Sequence, residues 1–390
     1  MLICNGKIVP MEGEIIENGF VSFESGKITA IGSMENRPEG DCEGDCLDAR
    51  GGWVLPGLVD AHTHLGLFED SLGFEGEDGN EDTDPVTPQL RVIDGINPME
   101  RSFAEARAAG VTCCVVSPGS ANPIAGQAAA IKTNGRRIDD MIVKAPCALK
   151  FALGENPKSC YNEKDEAPVT RMATAALIRE TLRKAQEYAA QKKRAEDPAD
   201  APEFDAKLEA LLPALDGSCP AHFHAHRADD IFTALRIAKE FSLRAVILHG
   251  TEAHLVADIL AEEGVPICSG PFLTDRSKPE LRHLTERAPA LLTRAGILTS
   301  ISTDHPETPL KHLMRCAVAA VQAGMQPMDA LRAITLVPAR IAGIEDRVGS
   351  LRAGKDADIL VTSGDPLDYR TRVTAVFVDG MQIKQEDCMI

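Results

Sequence analysis

Long apolar runs are missing from this sequence. The chain has 390 residues, of which 44% are hydrophobic and 26% are charged, as in ordinary globular proteins. No stretch stays apolar for the ~18 residues that a membrane-spanning helix needs. The amino-terminal segment also lacks the basic and apolar blocks of a secretion signal. We therefore expect a cytoplasmic protein.

The sequence also has no excess of basic residues over acidic ones. The chain carries 41 Lys and Arg against 59 Asp and Glu, a formal net charge of -18. Such a charge disfavours nucleic acid and anionic membrane surfaces as partners, because both repel an acidic surface. The predicted partner is a small-molecule substrate, with no nucleic acid and no membrane, and we expect a homo-oligomer.

The eleven cysteines lack the spacing of a disulfide framework. Their number is odd, and Cys113 and Cys114 are adjacent inside an apolar run. Together with Cys42 and Cys46 they do not form the repeated pairs of a structural zinc site. We expect mostly reduced thiols that pack as small hydrophobic side chains.

Apolar strand patterns alternate with helical patterns through the middle of the chain, which predicts a parallel α/β core. Helices are predicted over 98–110 and 227–241, where apolar residues recur at helical spacing. Eight strands are predicted, the number that closes a (β/α)8 barrel. They are WVLPGLVDAH, GVTCCVVSPG, QAAAIKTNG, APCALKFALG, CPAHFHAH, LRAVILHG, GVPICSG and GILTSISTD.

Four other segments depart from this alternation. Residues 1–33 and 354–383 carry short strands broken by Gly, Asn and Ser, typical of a small antiparallel sheet. Residues 168–216 have the pattern of charged amphipathic helices. Residues 69–97 are acidic and turn-rich. A solvated loop is the first interpretation of 69–97, and a lid over the barrel mouth is the alternative.

Polar residues that can bind metal follow the predicted strands. His62 and His64 are two residues apart, so on a strand both rings point to the same side and can share one metal. His249 and Asp304 each end a later strand. Because barrel active sites are built at the carboxyl ends of the strands, these residues form a candidate metal site.

Lys150 is a candidate of a different kind. Strand alternation places it with Ala148 and Ala152 on the face opposite the large apolar side chains, so it points into the barrel. Burial lowers the pKa of a lysine, and its free amine can react with carbon dioxide to give a carbamate that bridges two metal ions. A lysine that forms a salt bridge or points outward, and Glu155 as the oxygen ligand instead, stay open.

Three histidines share the fifth strand. His222, His224 and His226 alternate in PAHFHAHRADD, so all three would face one side. One metal ion rarely takes three ligands from so short a segment. Spacing alone does not divide their roles.

Taken together, these segments resemble the amidohydrolase superfamily of metal-dependent hydrolases. The resemblance rests on PGLVDAHTH, HFHAHRADDI, STDHPE and GSLRAGKDADILVTSGDPL, and it covers nearly the whole chain. It lies nearest the branch with imidazolonepropionase and related cyclic-amide and prolidase-like dipeptide hydrolases. It implies a (β/α)8 TIM-like barrel over 53–347, and a small β-sandwich domain built from 1–52 and 348–390.

The resemblance also implies a ligand set for a divalent metal, foremost zinc, as one ion or two. Lys150 departs from the imidazolonepropionase pattern, which generally has one metal and no bridging lysine. His226 is then placed nearer the mouth as a catalytic residue, and His222 as a packed barrel histidine. The implied metal ligands are His62, His64, Lys150, His224, His249 and Asp304.

The predicted reaction is metal-assisted hydrolysis of a C–N bond in an amide, a cyclic amide or a dipeptide-like molecule. Asp304 would take the proton of the water and return it to the leaving nitrogen. His226 or Arg227 would polarise the carbonyl, and Ser120, Asn122 and Gln127 are candidates for substrate binding unless they only shape a turn.

Two other functions remain open. Deamination or N-deacetylation would use the same scaffold and the same chemistry. A non-catalytic binding or assembly protein is the alternative of another class, although it would have no reason to keep six costly polar groups inside a barrel.

Overall fold

The computed structural model describes residues 1–37, 46–70 and 73–384. Cys42 and the last residues of the predicted 348–390 segment lie outside this description. Among the described residues, no helix is both long enough and apolar enough to cross a bilayer. The cytoplasmic location and the homo-oligomeric state stay predictions.

Both ends of the chain contribute to one sheet of eight strands. Its strands are β1 (Leu2–Ile8), β2 (Ile16–Glu24), β3 (Lys27–Ser33), β4 (Cys46–Asp48), β5 (Trp53–Pro56), β14 (Ile359–Thr362), β15 (Val373–Val378) and β16 (Met381–Gln382). They are ordered β16-β15-β14-β5-β1-β2-β3 across the sheet, with β4 paired to β1.

This terminal sheet differs from the expected antiparallel one. β1 runs parallel to β4 and to β5, because the intervening β2–β3 hairpin gives the chain enough length to cross over and return in the same direction. Phe23 of β2 and Phe377 of β15 pack edge to face at 5.2 Å, although three strands separate β2 from β15, so the sheet curls around its own core. β5 lies in this sheet, beyond the predicted boundary at residue 52, and the sandwich domain itself stays a prediction.

The central strands form a second sheet of eight, nearly closed into a barrel. Each of the eight predicted strands has a counterpart here in the predicted order, although the Trp53–Pro56 half of the first forms β5 in the terminal sheet. Backbone bonds join the first and last strands at their carboxyl ends: the His64 amide donates to the His305 carbonyl at 2.9 Å, and the Asp304 amide to the His62 carbonyl at 3.2 Å. The strands are β6 (Leu58–Thr63), β7 (Val111–Val116), β8 (Ile124–Lys132), β9 (Ile142–Ala152), β10 (Ala221–Ala225), β11 (Ala245–His249), β12 (Ile267–Ser269) and β13 (Thr299–Ile301).

The third barrel strand corrects the expectation of an all-parallel barrel. β8 runs antiparallel to both β7 and β9. Only residues 117–123 connect β7 to β8, whereas a parallel crossover needs about a dozen residues or more. The chain therefore turns back as a hairpin, and the helix expected between these strands is missing.

Helices cover the outside of the barrel. The predicted helices over 98–110, 227–241 and 168–216 appear as α1, as α6, and as α4 with α5. In α6 the residues buried against β10 and β11 recur at helical spacing, as an amphipathic helix requires. The helices are α1 (Arg101–Ala108), α2 (Ile138–Met141), α3 (Glu155–Asn162), α4 (Arg171–Arg194), α5 (Ala206–Leu215), α6 (Ala228–Phe241), α7 (Ala257–Glu263), α8 (Ala288–Arg294), α9 (Leu313–Gln322), α10 (Pro327–Arg332) and α11 (Leu336–Ala342).

The acidic segment 69–97 lies against the barrel. Single bridges join Val86 to Ile124 and Arg91 to Gln127. The amide of Gly119, in the turn between β7 and β8, donates to the carbonyl of Gly79 at 2.7 Å. The described part of this segment is an irregular loop with many exposed residues, tied to the barrel at these points.

A buried ion cluster joins the barrel to the terminal sheet. Lys132, at the end of β8, places its ammonium 2.8 Å from Asp358, 2.9 Å from Asp379 and 3.0 Å from Asp356. The side chains of Lys132, Asp356 and Asp358 are at most 3% exposed. Removing one partner from such a cluster leaves the others buried without compensation.

We expect Lys132→Met to lower the free energy of unfolding by about 3–5 kcal/mol, because the carboxylate of Asp358 would stay buried without its cation. Urea unfolding measures the change. Lys27→Met is the matched control: Lys27 also pairs with Asp356, but its side chain is half exposed, so its loss should cost less than about 1 kcal/mol. Equal losses in the two variants would contradict a cluster that stabilises this junction.

Candidate metal centre

The ends of the first and last barrel strands bring three predicted ligands together. His62 lies in β6, His64 follows it, and Asp304 follows β13. Oδ1 of Asp304 is 3.1 Å from Nε2 of His62 and 3.3 Å from Nε2 of His64. We call His62, His64 and Asp304 the first ligand group, since their atoms lie close enough to share one metal ion.

Three histidines from β10 and β11 form a second ligand group. His224, His226 and His249 are buried, and one nitrogen of each lies within 4.8 Å of the others. The rings of His226 and His249 stack at 4.6 Å, and His224 meets both rings edge on. The two groups adjoin: the rings of His62 and His249 are 5.1 Å apart.

The backbone bends where two of these ligands leave their strands. His249 has a φ of 70° and Asp304 a φ of 53°, in the left-handed region that non-glycine residues seldom adopt. Such conformations persist only where the surrounding structure enforces them, and they concentrate at functional sites. Here the bend occurs at one residue of each ligand group.

Hydrogen bonds to Nδ1 orient four of the rings. Nδ1 of His64 donates to the backbone carbonyl of Ser117 at 2.7 Å, and Nδ1 of His249 donates to the backbone carbonyl of Gly270 at 2.9 Å. In both rings Nδ1 therefore carries the proton, and Nε2 keeps the lone pair that a metal needs. Nδ1 of His224 meets the Ser120 hydroxyl at 3.0 Å, and Nδ1 of His226 meets the Thr251 hydroxyl at 2.7 Å.

Burial keeps these imidazoles neutral. Loss of hydration lowers the pKa of His62 to about 3 and that of His224 to about 4. The same cause lowers the pKa of His226 and His249 well below the usual value. Neutral imidazole is the form that binds a transition metal, so the site is ready to bind at neutral pH without releasing protons from these rings.

Several buried polar atoms of the site have no hydrogen-bond partner among the described residues. They include both ring nitrogens of His62, Nε2 of His224 and Oδ1 of Asp304. Buried polar groups normally have partners, and each neutral imidazole has one nitrogen with a lone pair, so this cluster of unsatisfied polar atoms fits a cation. Imidazole nitrogens with a carboxylate oxygen suit zinc or a similar transition metal.

Lys150 is fully buried. Leu149, Phe151 and Leu153 pack in the core with the outer helices, so Lys150 lies on the opposite, inner face of β9 as predicted. Desolvation lowers the pKa of its amine to about 7. Nζ donates to the carbonyl of Pro118 at 3.0 Å. A carbamate bridge at Lys150 stays a prediction.

His222 lies deeper in the barrel than either ligand group. It is fully buried opposite Lys150, its partner in the register of β9 and β10. Neither ring nitrogen has a hydrogen-bond partner in the described part of the chain. Its predicted role as a packed barrel histidine stays a prediction.

The structure does not bring the other three candidates to the cavity. Arg227 directs its guanidinium to the carboxylate of Asp229, at 2.9 and 2.8 Å. The amide of Asn122 is fully used, since it donates to the Glu81 carbonyl and accepts from the Tyr161 hydroxyl. Gln127 lies within β8 rather than in a loop, and it donates to the carbonyl of Pro88.

Both ligand groups open into a cavity of about 370 Å³. His64, His224, His226 and Asp304 line its floor, and Ser120 lines its wall. Phe68, directly before the acidic segment 69–97, and Asn80, within it, also line the cavity. The acidic segment therefore borders the mouth.

Sequence reasoning missed Glu280 and Lys278. They lie beyond β12, where no periodic pattern or strand end marks them. Glu280 is buried beside His224 and His226, and Lys278 lines the cavity. Glu155, the predicted alternative to Lys150, is outside both ligand groups, and its backbone amide donates to Glu280 at 3.1 Å.

Comparison with known proteins gives consistent matches. Residues 53–384 match the model of the amidohydrolase family. An amidohydrolase crystal structure from Thermotoga maritima MSB8 is 42% identical with a TM-score of 0.94, covering 98% of this chain and 99% of that one. Imidazolonepropionase of Cupriavidus metallidurans is 26% identical over 89% of this chain and 85% of its own length.

One further relative is much longer. Amidohydrolase tasK of Hapsidospora irregularis is 30% identical over 93% of this chain. The chain spans only 39% of the length of that protein.

The assignment of the fifth-strand histidines predicts different results for two substitutions. His224→Asn should lower zinc affinity at least about tenfold, because it removes a nitrogen of the second ligand group. His222→Asn should retain zinc and lower the free energy of unfolding by about 1–3 kcal/mol. Metal analysis and urea unfolding measure the two effects. If His222→Asn alone emptied the site, the assigned register would be wrong by two residues.

Proposed function

The chain belongs to the amidohydrolase family, and we propose that it hydrolyses a carbon–nitrogen bond of a small molecule in a metal-dependent reaction. The bond is an amide, a cyclic amide or a dipeptide-like bond. The observation that carries this proposal is the approach of Asp304 Oδ1 to Nε2 of His62 and of His64, at 3.1 and 3.3 Å, on the floor of the cavity.

The first ligand group would hold a divalent cation, foremost zinc, because it combines imidazole nitrogens with a carboxylate. The second ligand group would hold another beside it. A bound divalent cation supplies the Lewis acidity that lowers the pKa of water and polarises a carbonyl.

Asp304 is the proposed proton carrier. Its Oδ1 contacts His62 and His64 of the first ligand group, while its Oδ2 lies 3.8 Å from the His249 ring. Asp304 also lines the cavity. A carboxylate in this place can accept a proton from the attacking water and return it to the leaving nitrogen. His62 and His64 keep the carboxylate in position from the other side.

His226 lines the cavity and was predicted to contact the substrate. Its Nδ1 is held by Thr251 and its ring stacks on His249, which favours a place in the second ligand group instead. Asn80, Ser120 and Lys278 line the cavity and are the candidates for substrate contacts. They replace Arg227, Asn122 and Gln127 in this proposal.

The cavity volume suits a small molecule. The match to imidazolonepropionase favours a cyclic amide among the possible bonds. Deamination or N-deacetylation needs the same polarised water and differs only in the leaving group. The cluster of unsatisfied buried polar atoms disfavours a non-catalytic role.

An activity screen of the zinc- or manganese-loaded protein tests the proposal. The panel holds N-acyl amino acids, dipeptides, hydantoins, imidazolones and aminated heterocycles, and ammonia release identifies deamination. Asp304→Asn should lose about 10²- to 10⁴-fold in kcat on any substrate found, because it removes the proton carrier.

Asp329→Asn, on the outer helix α10, is the matched control and should keep full activity. A protein that stays free of metal after supplementation, or an Asp304→Asn variant as active as the wild type, would refute the proposed function.

A further inference from the structure

Glu280 is a buried carboxylate whose position needs an explanation. It lies between β12 and α8, in the short turn Pro279–Leu281, and is 2% exposed. Burying a carboxylate is costly unless it is paired. Oε2 accepts from the Glu155 amide, and Oε1 lies 2.8 Å from Nζ of Lys278.

The same Oε1 faces two histidines of the second ligand group. It lies 3.7 Å from Nε2 of His226 and 3.9 Å from Nε2 of His224. Both distances are too long for hydrogen bonds. Two ligand atoms on one tetrahedral zinc stand about 3.4 Å apart, given bonds of about 2.0–2.2 Å. The spacing is therefore close to that of ligands that share a cation.

When Nδ1 of His224 and of His226 donates to its hydroxyl partner, the Nε2 atoms that face Oε1 are acceptors. Nε2 of His224 is buried and has no hydrogen-bond partner among the described residues. A carboxylate oxygen has two lone pairs, so the pairing of Oε1 with Lys278 leaves one for a second partner. Acceptors held face to face in a buried site need a positive charge between them.

Charge balance points the same way. The second ligand group consists of three neutral imidazoles and has no anion of its own. The amine of Lys150, the predicted source of an anionic bridge, donates to the Pro118 carbonyl, and its carbamate stays a prediction. Glu280 supplies a carboxylate whose Oε1 lies 3.9 Å from His224 and 3.7 Å from His226. Lys278, which also donates to Asn156 at 2.7 Å, orients that carboxylate.

We propose that Glu280 is the carboxylate ligand of a second metal position, together with His224, His226 and His249. This inference rests on the metal dependence in the proposed function. It gives the chain a second position built from three imidazoles and a loop carboxylate, with no requirement for a carbamate on Lys150.

Metal stoichiometry tests the assignment without reference to activity. Wild-type protein is loaded with excess Zn²⁺, desalted and analysed by inductively coupled plasma mass spectrometry. We expect two equivalents per chain. Glu280→Gln keeps the shape of the side chain and removes its charge, so it should retain one equivalent. Glu307→Gln, which alters another carboxylate of the same cavity, should retain two.

Each outcome separates this inference from the proposed function. A wild type without zinc would refute the function itself. One equivalent in the wild type, or two in Glu280→Gln, would overturn the second position while the function stands. Circular dichroism checks the fold. If Glu280→Gln does not fold, Glu280→Asp serves instead: its shorter carboxylate should weaken the second equivalent at least about tenfold in a chelator competition, and unchanged affinity would overturn the assignment.

Discussion

Hydrogen bonds at the Nδ1 atoms of buried imidazoles determine what this barrel mouth can do. An unsupported ring would rotate, and its lone pair would have no fixed direction. Here the carbonyls of Ser117 and Gly270 fix His64 and His249, and the hydroxyls of Ser120 and Thr251 fix His224 and His226. Ring nitrogens of each group consequently lie close together, and the proposed metal positions follow from that orientation.

Closure of the barrel aligns the first ligand group. The Ser302 hydroxyl donates to the carbonyl of His62 at 2.8 Å, across the junction of the first and last strands. Asp60 reinforces that junction, since its carboxylate accepts from the amides of His62 and Thr303. Desolvation raises the pKa of Asp60 to about 6, so at neutral pH its charge depends on those donors. The alignment of His62 with Asp304 is therefore a property of the closed barrel.

Part of the candidate site could be predicted because its signals are local. Strand alternation and strand ends place His62, His64, His249 and Asp304 at the barrel mouth, and the structure brings these side chains close to His224, which only the family resemblance singled out from its strand. The same alternation placed Lys150 on the inner face of β9. It could not predict the hydrogen bond from Lys150 to Pro118, which depends on where the β7–β8 turn passes.

Other features depended on contacts that no local pattern encodes. The reversed direction of β8 follows from a short connection, so loop length held a signal that the eight-strand pattern obscured. Arg227 sits at the start of α6, where Asp229 captures its guanidinium. Glu280 comes from an irregular loop, and only the folded chain brings it to the histidines. Such residues share no periodicity with the strands they approach.

The central claim is that the two ligand groups hold metal ions on the floor of the cavity. Anomalous diffraction at the zinc absorption edge from crystals of the zinc-loaded protein tests it most directly. We predict one anomalous peak among His62, His64 and Asp304, and a second among His224, His226, His249 and Glu280. Crystals with no anomalous peak at either group would contradict it.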